Sequence, residues 1–125
     1  MNEILKAIFD RVNDQTNYDC FDEVPQNFDK YPFIKIQMVD YSPFDLDAGA
    51  DFNLTIQITT YSKYKGSKEI LDISQNIYNA LHRWAMPDTA SYCVTNIKQV
   101  FNTIMAEPKH RIDTQRYLIN YETRV

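Results

Sequence analysis

The stretch that decides the fold lies between residues 52 and 81 and reads FNLTIQITTYSKYKGSKEILDISQNIYNAL. Its first part alternates apolar and polar side chains, which is typical of a β-strand with one buried face. Its second part repeats apolar residues at helical spacing, and this stripe consists of Ile70, Ile73, Ser74, Ile77, Tyr78, Leu81 and Trp84. The sequence therefore predicts a strand over 52–62, a basic turn over 63–66, and a helix that begins after Ser67 and ends before Pro87.

Four more elements are predicted around this stretch. Ile4, Leu5, Ile8, Phe9 and Val12 mark one face of an N-terminal amphipathic helix. Alternating segments predict strands over 33–40, 93–105 and 111–123, with a bulge in the middle one near Asn96 and Ile97, where the alternation slips. The segment 41–51 is rich in aspartate, contains a proline and a glycine, and is predicted to be a projecting loop.

The order of these elements favours an α+β fold. Two pairs of adjacent strands, each preceded by a helix, predict the order α-β-β-α-β-β. Strands that follow each other directly pair antiparallel, so we expect a mainly antiparallel four-stranded sheet with both helices on one face. The length of 125 residues fits a single domain over 1–125.

The composition excludes several classes of protein. The chain carries a formal charge of −4, which is the wrong sign for a protein that neutralises DNA phosphates. Only two glycines are present, too few for the phosphate-binding loops of nucleotide-binding folds. The two cysteines, Cys20 and Cys93, are far apart and imply neither a disulfide framework nor a zinc site. No membrane span and no secretory signal are expected.

No set of residues points to catalysis or to a cofactor. His82 borders the apolar stripe of the second helix and His110 lies in a turn, so both are expected to be structural or solvated. The acidic segment around Asp45, Asp47 and Asp51 lacks the ligand pattern of a calcium loop. We therefore expect no enzymatic activity, no cofactor and no bound metal.

The ordered combination of motifs resembles a known family. The strand–turn–helix segment 56–81 combines an alternating strand that ends in an aromatic residue and Ser62, a short basic turn with Gly66, and an amphipathic helix. Val24-Pro25 and Tyr31-Pro32-Phe33-Ile34 precede the first strand, and a closing strand spans 113–121. This pattern resembles the tail-completion proteins of long-tailed bacteriophages (siphophages), which are also called tail terminators or tail-to-head joining proteins.

The resemblance implies a structural virion protein at the head-proximal end of the tail. Such a protein, made in the host cytoplasm, would assemble into a homohexameric ring, cap the tail tube protein and offer a docking surface to the head-side connector or adaptor in the neck. DNA would pass through the lumen without specific contacts, and no membrane would be involved. Six copies at −4 each would carry −24, which would help DNA to slide past.

Contacts with neighbouring subunits or with the tube are expected in the segment 41–51 and the turn 63–68, with unlike charges meeting across the joint. The candidate contact residues are Phe44, Asp45, Asp47, Asp51, Tyr61, Lys63, Tyr64, Lys65, Lys68 and Arg116. Exposed ion pairs are worth only about 0–1 kcal/mol each, so aromatic anchors such as Phe44, Tyr61 or Tyr64 would supply most of the affinity.

Two other functions fit the same residues. Another ring component of the neck or tube, such as a head–tail adaptor, could share the α+β pattern. A small protein-binding module that grips a peptide at an exposed sheet edge would need no ring.

Overall fold

The computed structural model describes residues 2–46 and 49–123. In chain order, its elements are α1 (Asn2–Thr16), β1 (Asp19–Phe21), β2 (Phe33–Leu46), β3 (Gly49–Ser62), α2 (Lys68–Leu81), β4 (Tyr92–Ala106) and β5 (Arg111–Thr123). Within these residues the strands form one mixed sheet in the order β1-β2-β3-β5-β4. β1 runs parallel to β2, and the other neighbours are antiparallel.

The α+β class, the two helices and the mainly antiparallel pairing are confirmed, whereas the prediction of four strands and of the order α-β-β-α-β-β is wrong, because the sheet has five strands. The additional strand, β1, has only three residues, so it offers no alternation from which a strand could be predicted. It exists because its backbone pairs with residues 33–35 of β2. This parallel pair makes the sheet mixed.

The prediction of a projecting loop over 41–51 is also wrong for the described residues. Residues 41–46 continue β2 and residues 49–51 begin β3, and the two strands stay in register as far as the Leu46–Gly49 pair. Pro43 is accommodated because β1 covers β2 only at residues 33–35, so β2 has no described strand on its other side at this position. Asp47 lies outside the described residues.

The second helix is shorter than the apolar stripe indicates. α2 ends at Leu81, because His82 is extended and Arg83 adopts a positive φ of 59°, so Trp84 follows the helix. Ser67 occupies the N-cap position but makes no side-chain capping bond. The first turn is instead tied to β3, since the Ser62 hydroxyl donates a hydrogen bond of 2.6 Å to Glu69.

The strand pairs contain bulges where the register shifts by one residue. The bulge predicted near Asn96 is confirmed by a shift between Val94 and Asn96. Two further shifts occur, one in β4 between Gln99 and Phe101 and one in β2 between Met38 and Asp40. All of these lie on strands next to the open edges of the sheet.

The core lies between one face of the sheet and both helices. Its fully buried members come from α1, α2 and the four long strands and include Ile4, Ile8, Val12, Ile34, Leu54, Ile56, Ile58, Ile77, Leu81, Ile97, Tyr117 and Ile119. Burial of each large apolar side chain stabilises the fold by about 1.5–3 kcal/mol. The opposite face of the sheet, called here the outer face, carries no helix in the described part of the chain, and segment 22–32 packs on one end of it.

A buried polar network crosses the core beneath α2. Its members are Ser74 of α2, Gln99 and Asn102 of β4, and Asp113, Gln115 and Tyr117 of β5. The Asp113 carboxylate accepts hydrogen bonds from Asn102 at 2.7 Å and from Gln115 at 2.8 Å. Burial nevertheless raises the pKa of Asp113 above its ordinary value, because these hydrogen bonds only partly offset the loss of solvent.

This network predicts a pH dependence of stability. Because the pKa of Asp113 is higher in the folded than in the unfolded chain, the folded protein binds the proton more tightly. The contribution of Asp113 to the free energy of unfolding therefore falls as the pH rises above about 4. Asp113→Asn cannot titrate, so the native protein should lose stability relative to this variant between about pH 4 and pH 7. Urea unfolding of both proteins across that range measures the difference, and a constant difference or the opposite slope contradicts the prediction.

Candidate interaction surfaces

The described residues form no recognisable catalytic or metal-binding cluster. His82 accepts a hydrogen bond from the backbone N–H of Gln99 at 3.1 Å, and its ring stacks on Tyr78, so this histidine has a structural role. Burial raises the pKa of Cys20 to about 12, which keeps its thiol protonated and a poor nucleophile. Among residues 2–46 and 49–123, no three His, Cys, Asp or Glu side chains are grouped so as to hold a metal ion.

One end of the sheet carries a concentration of basic residues, called here the basic end. The connection between β3 and α2 and the turn between β4 and β5 meet there, because Ser62 pairs with Arg111. Together they line a groove of about 580 Å³, formed by Lys63, Tyr64, Lys65, Pro108, Lys109, His110 and Arg111. The groove concentrates positive charge in a chain whose net charge is negative.

A cluster of aromatic rings on the outer face supports the basic end. Phe33 lies at its centre, and its ring centroid is 4.8 Å from that of Tyr61 and 5.3 Å from that of Phe28. Tyr31 also contacts Phe33, and the Lys63 ammonium lies 4.3 Å from the centre of the Tyr31 ring. The cluster thus ties the irregular segment 22–32 to the sheet and positions one of the lysines.

The opposite end of the sheet, called here the acidic end, is the β2–β3 hairpin together with the end of β5. The backbones of Asp45 and Asp51 lie in the paired strands, and Asp51 lies opposite Glu122, which is exposed. Residues 51 and 62 of β3 are eleven residues apart, which corresponds to about 35 Å. The two segments predicted to make contacts, 41–51 and 63–68, therefore lie at opposite ends of the molecule.

The remaining predicted contact residues are distributed over several surfaces. Arg116 lies on the outer face, where it donates a hydrogen bond to Gln57 at 3.0 Å and covers the ring of Phe101. Lys68 lies at the start of α2 and lines a separate groove with Thr16 and Tyr18. Phe44 contributes backbone pairing to the hairpin. The structure thus brings together Lys63, Tyr64 and Lys65, with Tyr61 in the adjoining aromatic cluster. Lys68 shares its groove with Tyr64, and the other candidates lie apart.

Sequence reasoning missed two features of these surfaces. Lys109, His110 and Arg111 join the basic end because β5 lies next to β3, and this neighbour relation is not visible in a local pattern. The second feature is a set of exposed apolar residues on the edge strands, which comprises Met38, Val39 and Tyr41 on β2 and Val100, Phe101, Ile104 and Met105 on β4. Exposed apolar side chains on open sheet edges are typical of contacts with another chain.

The comparison with protein families decides where this architecture belongs. A family model described as tail completion protein gp17 matches residues 4–125. The chain belongs to this family. Tail completion proteins are structural proteins of the phage tail, and the chain is accordingly a component of the virion.

Solved structures contain the same fold. The chain is similar to one in the structure titled "Virion of native gene transfer agent (GTA) particle", with a TM-score of 0.79 and 10% identity, over 94% of this chain and 92% of that chain. At this identity the similarity shows the fold alone. No curated protein sequence matches this tail completion protein. None of its described helices is long and apolar enough to cross a membrane.

The aromatic cluster yields a prediction about stability. Phe33→Ala removes the ring that the other aromatic side chains share, and it should lower the free energy of unfolding by about 3–5 kcal/mol. Lys35→Ala, two residues further along the same strand and on the same face, should change it by less than about 1 kcal/mol. Denaturant titration of both variants tests this, and equal losses would show that the cluster does not stabilise the sheet.

Proposed function

We propose that this tail completion protein closes into a ring on the head-proximal end of the tail tube and offers the head connector its docking surface. The observation that carries the proposal is the opposite charge of the two ends of the same long strands. The basic end has Lys63, Lys65 and Lys109, and the acidic end has Asp51 opposite Glu122.

A ring whose strands run along the tail axis would use both ends at once. All basic ends would lie on one axial face of the ring, and all acidic ends would lie on the other. A protein that joins two different assemblies needs two different docking faces, and this arrangement provides them. The family resemblance implies six copies, and DNA leaving the head would pass through the central opening without base-specific contacts.

Charge would guide the approach of a docking partner, and apolar groups would supply most of the affinity. Exposed ion pairs contribute about 0–1 kcal/mol each, so the lysines mainly direct the approach of a partner. Tyr64 is about half exposed, at 51%, and lies within the basic groove, which makes it the best aromatic anchor at this end. Tyr61 is less available, because its ring stacks on Phe33. Phe44 in the hairpin is the proposed anchor at the acidic end.

The role of the hairpin can be tested by shortening it. Replacement of residues 44–51 by Asn-Gly would close a two-residue turn next to the Pro43–Phe52 pair and leave the core untouched. We expect a folded protein, shown by a native-like circular dichroism spectrum, that no longer binds purified tails lacking the protein. Co-sedimentation with those tails measures binding, and binding at the native level would remove the hairpin from the proposed contact.

The role of the basic end can be tested by charge reversal. Lys65→Glu combined with Lys109→Glu should abolish the joining of heads to tails or the binding to tails, because the docking face then repels its partner. Lys65→Arg combined with Lys109→Arg keeps the charge and should behave as the native protein. Electron microscopy of negatively stained particles, with joined and unjoined tails counted, gives the result. Native activity of the glutamate variant would refute a docking role for this end.

A further inference from the structure

Both long edges of the sheet are open in the described part of the chain. β1 covers β2 only at residues 33–35, so β2 has no strand on that side from Ile36 onward. β4 pairs with β5 alone and forms the other edge. A ring built by rotation needs two different surfaces on each subunit, one for each neighbour, and the two edges are different surfaces.

The β2 edge contains an apolar recess. The recess has a volume of about 450 Å³ and lies where α1 passes the edge strand. Leu5 and Phe9 of α1 form one apolar wall and Ile36 and Met38 of β2 form the other, while Lys6, Asp22 and Gln37 complete the lining. Met38 is 50% exposed, although its register places it on the same face as the core, because the helices leave this part of the edge uncovered.

The β4 edge carries apolar side chains at a bulge. The register shift between Gln99 and Phe101 leaves Val100 unpaired with β5. Val100 is half exposed, whereas Phe101 lies on the outer face, where Arg116 covers its ring. An exposed apolar residue on an edge strand is costly to leave in water and is suited to fill a recess on another chain.

The pairing across the sheet places these two surfaces at the same height. Residues that pair across successive strands form a row at one height along the strands. One such row runs from Met38 through Ile56 of β3 and Tyr117 of β5 to Gln99. Asp40 is in the next row with Lys98, through Thr55 and Leu118. Asp40 and Lys98 are both exposed and of opposite charge.

We propose that neighbouring subunits of the ring meet edge to edge, so that Val100 of one copy packs at the recess of the next and Lys98 faces Asp40. Rotation about an axis parallel to the strands leaves the height of every row unchanged. Two residues at opposite ends of one row therefore come together where one copy meets the next. The inference rests on the proposed ring and assigns its lateral contact.

The contact is made by side chains rather than by a continued sheet. Bulges on β2 between Met38 and Asp40 and on β4 between Gln99 and Phe101 interrupt the regular ladder on both edges at the height of the contact. A two-fold pairing of two β4 edges would leave the recess of each copy unfilled. A second copy arranged head to tail fills it and also pairs the unlike charges.

Exchange of the two charges tests the contact. Asp40→Lys and Lys98→Asp should each raise the concentration needed for half-maximal ring formation on tails by about tenfold, because like charges then meet at every joint. The combined variant restores unlike charges and should return to within about threefold of the native protein. Native mass spectrometry, or counting of rings on negatively stained tails, measures ring formation.

An apolar substitution with a matched control tests the recess. Val100→Ser should weaken ring formation, whereas Met105→Ser, at an equally exposed position of the same strand but several rows away, should not. If the native protein forms rings and all of these variants form them equally well, the lateral contact is wrong and the proposed ring stands. If the native protein forms no ring in solution or on tails, both the contact and the proposed function are wrong.

Discussion

Burial of one face of the sheet under both helices is the interaction on which the rest of the structure depends. Leu54, Ile56 and Ile58 of β3 are fully buried against the helices, and Tyr117 and Ile119 of β5 continue the same apolar surface. The core is formed on one face of the sheet only. Most of the outer face, the two open edges and the two strand ends therefore remain available to contact other molecules. A subunit that works by assembly needs this kind of surface.

The length of the strands keeps the surfaces that we assign to different contacts apart from one another. β2 and β3 have 14 residues each, so the basic groove at Lys63 and the acidic end at Asp51 and Glu122 are tens of ångströms apart and do not neutralise each other. The apolar edge residues lie between them, around Met38 and Val100. Axial docking through charged ends and lateral contact through apolar edges can therefore coexist in one subunit.

Local patterns predicted those elements that bury a regular face. Most of β3 is predicted from the alternation over 52–62, and α2 is predicted from the stripe that begins at Ile70. Both predictions succeed because a buried face places apolar residues at regular intervals along the sequence. β1 has only three residues, which are too few to show an alternating pattern. Residues 41–51 have the composition of a loop, yet residues 41–46 and 49–51 pair, in continuation of the register between β2 and β3. The basic groove and the Asp40–Lys98 row depend on which strands are neighbours, which only the folded chain specifies.

The central claim is that strand ends make the axial contacts and sheet edges make the lateral ones. A cryo-electron microscopy reconstruction of the head-proximal end of the tail tests it most directly, since it places the chain relative to the tail axis. The account predicts a closed ring in which β2, β3, β4 and β5 run along that axis, with β4 of each copy beside β2 of the next. Strands lying across the axis, or copies of the chain distributed along the tube, would contradict it.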